Sequence, residues 1–275
     1  MFRRTFLLLL SICAVPAVAQ EPLTLIVMDP LALPLSCPCV KGYAQRDYEQ
    51  LAKYLSDKTK RPVVVHFSES LADAVNQKSK GKADIVIGKD SVIKSEASVL
   101  KRSLQPVASL TGKDGKTTMT GLLVVHHLDM AVSPSDLNGY HLIFGPKECD
   151  EKNAAVRTLL KSSGVKITSE PDIAIACDAG AYKVIDAFQQ GKKAATAISS
   201  YAHPLLEGCG KIKKGDLRVI GETAPVPFVT AFVSGELSTE LSDTITQALL
   251  DVKSNAKLCT AIETKHGFQP ITKKK

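Results

Sequence analysis

The chain has 275 residues, of which 44% are hydrophobic and 23% charged, and a formal net charge of +7. This positive excess is scattered along the chain except at Lys273–Lys275, which disfavours nucleic-acid binding because that function needs a concentrated basic face. Aromatic residues make up only 5% and Trp is missing, which disfavours a cleft that grips sugars or quaternary amines with aromatic rings.

The first nineteen residues have the features of an export signal. Arg3 and Arg4 precede a short apolar run over residues 6–12, and Ala17-Val18-Ala19 is a small-x-small cleavage site. The apolar run is far shorter than the roughly 20 residues that span a bilayer. We therefore predict a cleaved signal peptide over 1–19 and a mature protein that is periplasmic or otherwise secreted.

The first half of the mature chain alternates short apolar strands with helical patterns. Residues 23–27, 63–67 and 83–88 have strand character, and the segments between them carry apolar residues at helical spacing. This alternation predicts a doubly wound, mostly parallel sheet that binds its ligand where the strands end. The predicted ligand-binding edge comprises residues 28–42, 66–70 and 88–91.

The second half repeats this plan. Helical patterns again separate short apolar segments, and the chain from Leu237 onward has a helical apolar stripe. The strands predicted here are residues 120–126, 140–144, 172–176, 194–200, 217–220 and 228–233. We expect a second α/β lobe built on these strands.

Four motifs, in this order along the chain, resemble a known family. They are Lys82–Gly88, Ser135–Gly139 followed by Leu142–Gly145, Asp186–Gly191 with Ala194–Tyr201, and Asp216–Ile220 with Pro225–Pro227. Together they are similar to the phosphate- and phosphonate-binding (PhnD-like) group of type II periplasmic substrate-binding proteins. The resemblance covers most of the mature chain.

The resemblance implies two lobes, each a doubly wound α/β sheet, with a ligand cleft between them. Lobe 1 is expected over 20–123 and 222–275 and lobe 2 over 124–221, with crossings near His126 and Gly221. It implies that a monomer captures a small ligand by hinge closure and delivers it to an ABC permease, without catalysis and without a resident cofactor.

One segment departs from the family's pattern. Oxyanion binders of this group usually place a Ser/Thr-rich turn at the helix start after the "fG" strand, where free N–H groups and the helix dipole attract an anion. This chain instead has Pro146–Glu151, with three carboxylates in four residues. These acids would oppose an anion, so the ligand class stays open between an oxyanion and a soft metal ion.

Six cysteines remain after signal removal, and they allow two interpretations. An even count in an exported protein predicts disulfides, for which we favour Cys149–Cys177 and Cys209–Cys259. Thiolates and imidazoles also select copper, zinc or iron, and Cys37 and Cys39 with His126 would form such a site if their loops face the cleft.

The ligand-binding residues that we predict come from the loops at the expected cleft. They are Cys37, Cys39, Tyr43, Ser68, Ser91, Thr118, Lys147, Cys149 and Tyr182. No serine-hydrolase, zinc-protease or phosphate-loop motif is present, which disfavours an enzyme. A second hypothesis is an accessory protein of a periplasmic redox enzyme that uses the same fold, and a third, weaker one is a Cys-based enzyme.

Overall fold

The computed structural model describes residues 21–36, 45–176 and 178–271. The strands are β1 Leu23–Met28, β2 Val63–Phe67, β3 Ile85–Lys89, β4 Leu104–Leu110, β5 Thr118–Met119, β6 Gly121–His126, β7 His141–Phe144, β8 Asp172–Ile173, β9 Ala194–Ser199, β10 Leu217–Glu222, β11 Val226–Pro227, β12 Val229–Ser234 and β13 Phe268–Pro270. The helices are α1 Tyr48–Thr59, α2 Leu71–Asp73 with a π-helical continuation Ala74–Lys78, α3 Asp90–Val99, α4 Ala154–Ser162, α5 Ala179–Gln189, α6 Ala202–Gly208, α7 Thr239–Asp251 and α8 Ala256–Ala261. Short 3₁₀ helices cover Pro134–Leu137, Asp150–Lys152 and Val252–Ser254.

Within the described residues, the first sheet has six strands in the order β13-β4-β12-β3-β1-β2. Strands β2, β1 and β3 are parallel, and β12 runs antiparallel to β3. All six side chains of β1 are buried, as expected for a strand covered by helices on both faces. One apolar core contains residues of α1, α7 and α8, and the core on the opposite face contains residues of α2 and α3.

The second sheet has the order β10-β6-β9-β7-β8 in the part of the chain that the structure describes. Strands β7, β8 and β9 are parallel, whereas β6 is antiparallel to β9 and to β10. One face packs on α4 and the other on α5 and α6. This sheet confirms the second α/β lobe that the sequence predicts.

A short ribbon joins the two sheets. Strand β5 pairs antiparallel with β11, so both crossings between the lobes run side by side. Because β6 begins at Gly121 and pairs with β10 in the second sheet, the first crossing lies near Thr120 rather than near His126. Helix α3 and strand β4, which follow the third predicted strand, are not among the predicted elements. No helix among the described residues is both long and apolar enough to span a membrane.

Candidate ligand site between the lobes

Strand direction fixes which ends of the two sheets face the cleft. In the first sheet the carboxyl ends of β1, β2 and β3 lie at one edge, and β12 starts there because its Val229 pairs with Lys89. In the second sheet the carboxyl ends of β7 and β9 share an edge with the start of β6, where Gly121 pairs with Ser199. Contacts between these two edges define the candidate site.

The central contact is a buried ion pair that crosses from one lobe to the other. Lys89, at the end of β3, places its Nζ 2.7 Å from Oε1 of Glu151, which lies in the 3₁₀ helix after β7. Ser199 Oγ donates to the same carboxylate oxygen at 2.6 Å, and the second oxygen, Oε2, has no partner although it is buried. Lys89 is 7% exposed and Glu151 is 0% exposed, so water is excluded from the pair.

Further polar contacts join the same segments. Lys89 Nζ donates to the thiol of Cys149 at 3.4 Å, and Ser91 Oγ donates to the backbone carbonyl of Glu148 at 2.7 Å. The backbone N–H of Asp150 donates to Ser91 Oγ at 3.4 Å. The acidic turn after β7 therefore packs directly on the start of α3.

Charge and burial act in opposite directions on the pair. Burial by itself lowers the pKa of the Lys89 ammonium, but the neighbouring Tyr201, Glu151 and Cys149 outweigh it and the pKa is raised. Burial likewise raises the pKa of Glu151, yet the Lys89 charge and the hydrogen bonds from Lys89 and Ser199 bring the pKa below its usual value. Both groups are therefore ionised at neutral pH.

The ion pair predicts a pH-dependent contact between the lobes. Because the pKa of Glu151 is lowered, the attraction to Lys89 is complete above the ordinary glutamate pKa of about 4.3 and is lost as the pH falls through the lowered value. The other groups facing this carboxylate are Ser199 and Lys152, and Tyr201 and Cys149 face the ammonium. We expect a rise in the radius of gyration by small-angle X-ray scattering on acidification. Glu151→Gln should lack this step, and an unchanged titration in that variant would contradict the assignment.

Aromatic rings continue the site beside the ion pair. Tyr201, just after β9, stacks on Phe228, just before β12, with ring centroids 4.8 Å apart. The Arg46 guanidinium lies 5.7 Å from the Phe228 ring centroid. The contact between the lobes thus has an ionic part and an aromatic part.

Arg46 is held in place by a buried cluster within the first lobe. Its Nη1 lies 2.8 Å from Asp29 Oδ2, and the Tyr48 hydroxyl donates to the same oxygen at 2.5 Å. Asp29 and Tyr48 are fully buried, and Nε of Arg46 is buried without a partner. Burial lowers the pKa of Arg46, but the charge of Asp29 outweighs it and the pKa is raised.

A cavity of about 950 Å³ opens beside these aromatic and charged groups. Its lining comes from both lobes and the connecting ribbon, and includes Arg46, Thr118, Thr120, Tyr201, Glu222 and Phe228. The charged lining side chains are evenly divided: Arg46, Lys113 and Lys116 against Asp114, Glu222 and Glu263. The volume is suitable for a small ligand.

The structure places some of the predicted ligand residues at this cleft. Ser91 and Cys149 lie in the contact between the lobes, and Thr118 lines the cavity. Ser68 is buried and its hydroxyl accepts from Ser70 N–H, whereas Lys147 and Tyr182 are exposed. Cys37, Cys39 and Tyr43 lie outside the described residues, so their roles stay predictions.

The expectation that His126 faces the cleft is wrong. Strand β6 enters the second sheet antiparallel to β9, so Gly121 lies at the cleft and His126 lies at the opposite end of the sheet. There the His126 ring stacks on Phe188 with centroids 3.9 Å apart. Among the described residues, no group of three His, Cys, Asp or Glu side chains could hold a metal ion. A soft-metal site at Cys37 and Cys39 remains a prediction.

The predicted bridge between Cys209 and Cys259 is not formed. Both thiols are free. Cys209, which follows α6 in the second lobe, donates to Leu206 O, and Cys259, which lies in α8 of the first lobe, donates to Val252 O. Their helices pack on different sheets, which keeps the two thiols apart. The Cys149 thiol is also free and faces Lys89, and its predicted partner Cys177 lies outside the described residues.

Sequence reasoning did not single out the buried polar groups of the site. Lys89 lies within the predicted edge 88–91, but Lys89, Glu151 and Ser199 come from separate elements, and no local pattern marks their meeting. Asp29 carried a usable signal, because a carboxylate directly after a fully apolar strand needs a buried counter-charge.

The two lobes, the two crossings and the cleft at the strand ends define a type II periplasmic substrate-binding protein. The family described as "ABC transporter, phosphonate, periplasmic substrate-binding protein" matches residues 42–275, and the chain belongs to this family. Membership implies a periplasmic location and a permease as partner. It gives no support for the alternative role as an accessory of a redox enzyme.

Solved structures share the fold at low sequence identity. A Xanthomonas citri protein bound to ATP matches with a TM-score of 0.67 and 16% identity, over 92% of each chain. The binding component of a Pseudomonas aeruginosa ABC phosphonate transporter gives 0.66 and 15%, over 92% of this chain and 82% of that one. PhnD1 of Prochlorococcus marinus in complex with methylphosphonate gives 0.64 and 13%, over 92% and 93%. No curated protein matches the sequence significantly.

Proposed function

We propose that the mature chain, after removal of residues 1–19, captures a small oxyanion of the phosphate or phosphonate class in the cleft. It passes the anion unchanged to an ABC permease and performs no chemistry on it. The observation that carries this proposal is Lys89, a buried ammonium at the meeting point of the two lobes. Charge-assisted hydrogen bonds to such a group are among the strongest that a protein offers to an anion.

The surroundings of Lys89 favour the same ligand class. The Ser199 hydroxyl lies next to it, because both groups donate to Oε1 of Glu151, and Ser91 follows Lys89 at the start of α3, where its hydroxyl donates to Glu148 O. A tetrahedral oxyanion presents three or more acceptor oxygens, which suits an ammonium with neighbouring hydroxyls. The methylphosphonate complex of the Prochlorococcus marinus neighbour is consistent with this ligand class.

Calorimetric titration of the mature protein tests the proposal. Methylphosphonate, phosphate and an alkanesulfonate are the probes, with copper, zinc and iron salts as a second panel for the soft-metal hypothesis. We expect at least one oxyanion to bind. Lys89→Met should weaken that binding roughly 10- to 100-fold, because it removes a charge-assisted hydrogen bond of about 1.5–3 kcal/mol.

Lys94→Met is the matched control, because Lys94 lies on the following helix and its ammonium binds Asp90 of the same helix. It should leave oxyanion binding nearly unchanged. The proposal fails if no oxyanion binds to the wild-type protein. Binding of the metal salts alone would instead support the site predicted at Cys37 and Cys39.

A further inference from the structure

We propose that Glu151 is a built-in competitor of the ligand: its carboxylate occupies the oxyanion position on Lys89 and Ser199 and holds the lobes together when the cleft is empty. The competition rests on the proposed function. The ligand-free closure does not, because it follows from an ion pair whose two partners belong to different lobes.

The geometry of the carboxylate is that of a bound anion. One oxygen, Oε1, receives both the Lys89 ammonium at 2.7 Å and the Ser199 hydroxyl at 2.6 Å. These are the donors that a phosphonate oxygen would use, and a carboxylate is the side-chain group closest to it in charge and acceptor chemistry. A ligand oxygen at that position would displace the carboxylate, and two anions beside one buried ammonium repel each other, so ligand and Glu151 compete for Lys89.

The contact leaves one oxygen of the Glu151 carboxylate without a partner. Oε2 of Glu151 is buried and has no donor, and an unsatisfied buried acceptor costs about 1–3 kcal/mol. A ligand that displaces the carboxylate removes this cost, because the released Glu151 side chain can reach water. The unsatisfied oxygen therefore favours exchange of the carboxylate for a ligand, and we expect the pair to reform when the ligand leaves.

The exchange requires rotation of one side chain rather than movement of the turn. Asn153 donates to Gly145 O at 2.8 Å, and Gly145 N–H donates to Lys152 O at 3.0 Å, so the turn is pinned at both ends. At Gly121 a Cβ would lie 1.9 Å from the Glu151 carbonyl oxygen, so the backbone of Glu151 is packed tightly against β6. Within its own lobe, the side chain of Glu151 is therefore the part of the turn that can move away from Lys89.

Competition by Glu151 explains the acidic sequence of this turn. The resemblance predicts a Ser/Thr-rich turn where this chain has Pro146–Glu151, and the carboxylates there predict that an anion is repelled. In the structure the turn supplies the anion itself. Glu151 then sets the affinity and the state of the empty protein rather than the ligand class.

Glu151→Ser tests both parts, with Glu148→Ser as the matched control, because Glu148 uses only its backbone carbonyl in the contact between the lobes. Small-angle scattering without ligand should show a larger radius of gyration for Glu151→Ser and no change for Glu148→Ser. Titration with methylphosphonate and with phosphate should show roughly tenfold or more tighter binding for Glu151→Ser, as expected when the competing closed state is removed.

An unchanged radius of gyration in Glu151→Ser would overturn the closure, and equal or weaker oxyanion binding would overturn the competition. If Glu151→Ser opens but no oxyanion binds to any variant, the closure stands and the proposed function fails. Glu151→Asp keeps the negative charge but moves the carboxylate away from Lys89 by the length of one methylene group. If Glu151→Ser does not fold, partial opening of Glu151→Asp supports the inference, and full closure contradicts it.

Discussion

Exchange of Asp29 for Ala is expected to lower the free energy of unfolding by about 3–5 kcal/mol. Asp29 is fully buried, accepts from Arg46 at 2.8 Å and from Tyr48 at 2.5 Å, and neutralises a guanidinium that is only 3% exposed. Its loss leaves that charge buried without a partner. Urea denaturation of the protein without residues 1–19 measures the effect.

Asp47→Ala is the appropriate comparison for Asp29. Asp47 follows Arg46 directly in the chain, but it caps α1 from a solvated position, where it accepts hydrogen bonds from Glu49 N–H and Gln50 N–H. Loss of such a cap costs about 0.5–2 kcal/mol. Equal effects of the two substitutions would show that the buried cluster is unimportant for the stability of the first lobe.

Lys89 and Glu151 are expected to be strongly coupled in a double-mutant cycle. Either Lys89→Met or Glu151→Met alone leaves a charge unpaired at the cleft, at a cost of up to about 3–5 kcal/mol in the closed state. The double variant removes both charges and should recover most of that loss. We expect a coupling energy above about 2 kcal/mol, measured from the unfolding of the four proteins.

The location of this pair gives the cycle a second readout. Because the partners belong to different lobes, each single variant can relieve its unpaired charge by opening the cleft to water. Scattering should therefore show expansion in both single variants and a more compact double variant, in which two methionine side chains replace the ionic contact between the lobes by an apolar one. Additive stability effects, with all four proteins equally compact, would mean that the pair does not link the lobes.

The fold was accessible from the sequence because it depends on local signals. Apolar runs such as those of β1 and β3 are buried on both faces, and the helical patterns between them leave a parallel sheet as the natural arrangement. The boundaries were less accurate. The predicted strand 172–176 is two residues long, at Asp172–Ile173, because the chain leaves the sheet edge after its short pairing with β7.

The candidate site was less accessible because it depends on long-range contacts. Lys89 and Glu151 are 62 positions apart, and a carboxylate in a turn carries no sign that a lysine from the other lobe neutralises it. His126 was misplaced for a related reason. The strand that carries it is antiparallel to its neighbour β9, and the apolar pattern of a strand does not state its direction.

The position of Cys149 allows the reactivity of its thiol to report whether the cleft is open. Cys149 is 8% exposed and its thiol lies 3.4 Å from the Lys89 ammonium, so both groups are shielded together, and we expect them to become accessible together when the lobes separate. The rate at which iodoacetamide alkylates Cys149 would then follow the fraction of time that a molecule spends open. Peptide mapping separates this signal from the partly exposed Cys209 and Cys259. The alkylation rate of Cys149 thus measures opening of the cleft in the native protein, without an introduced label.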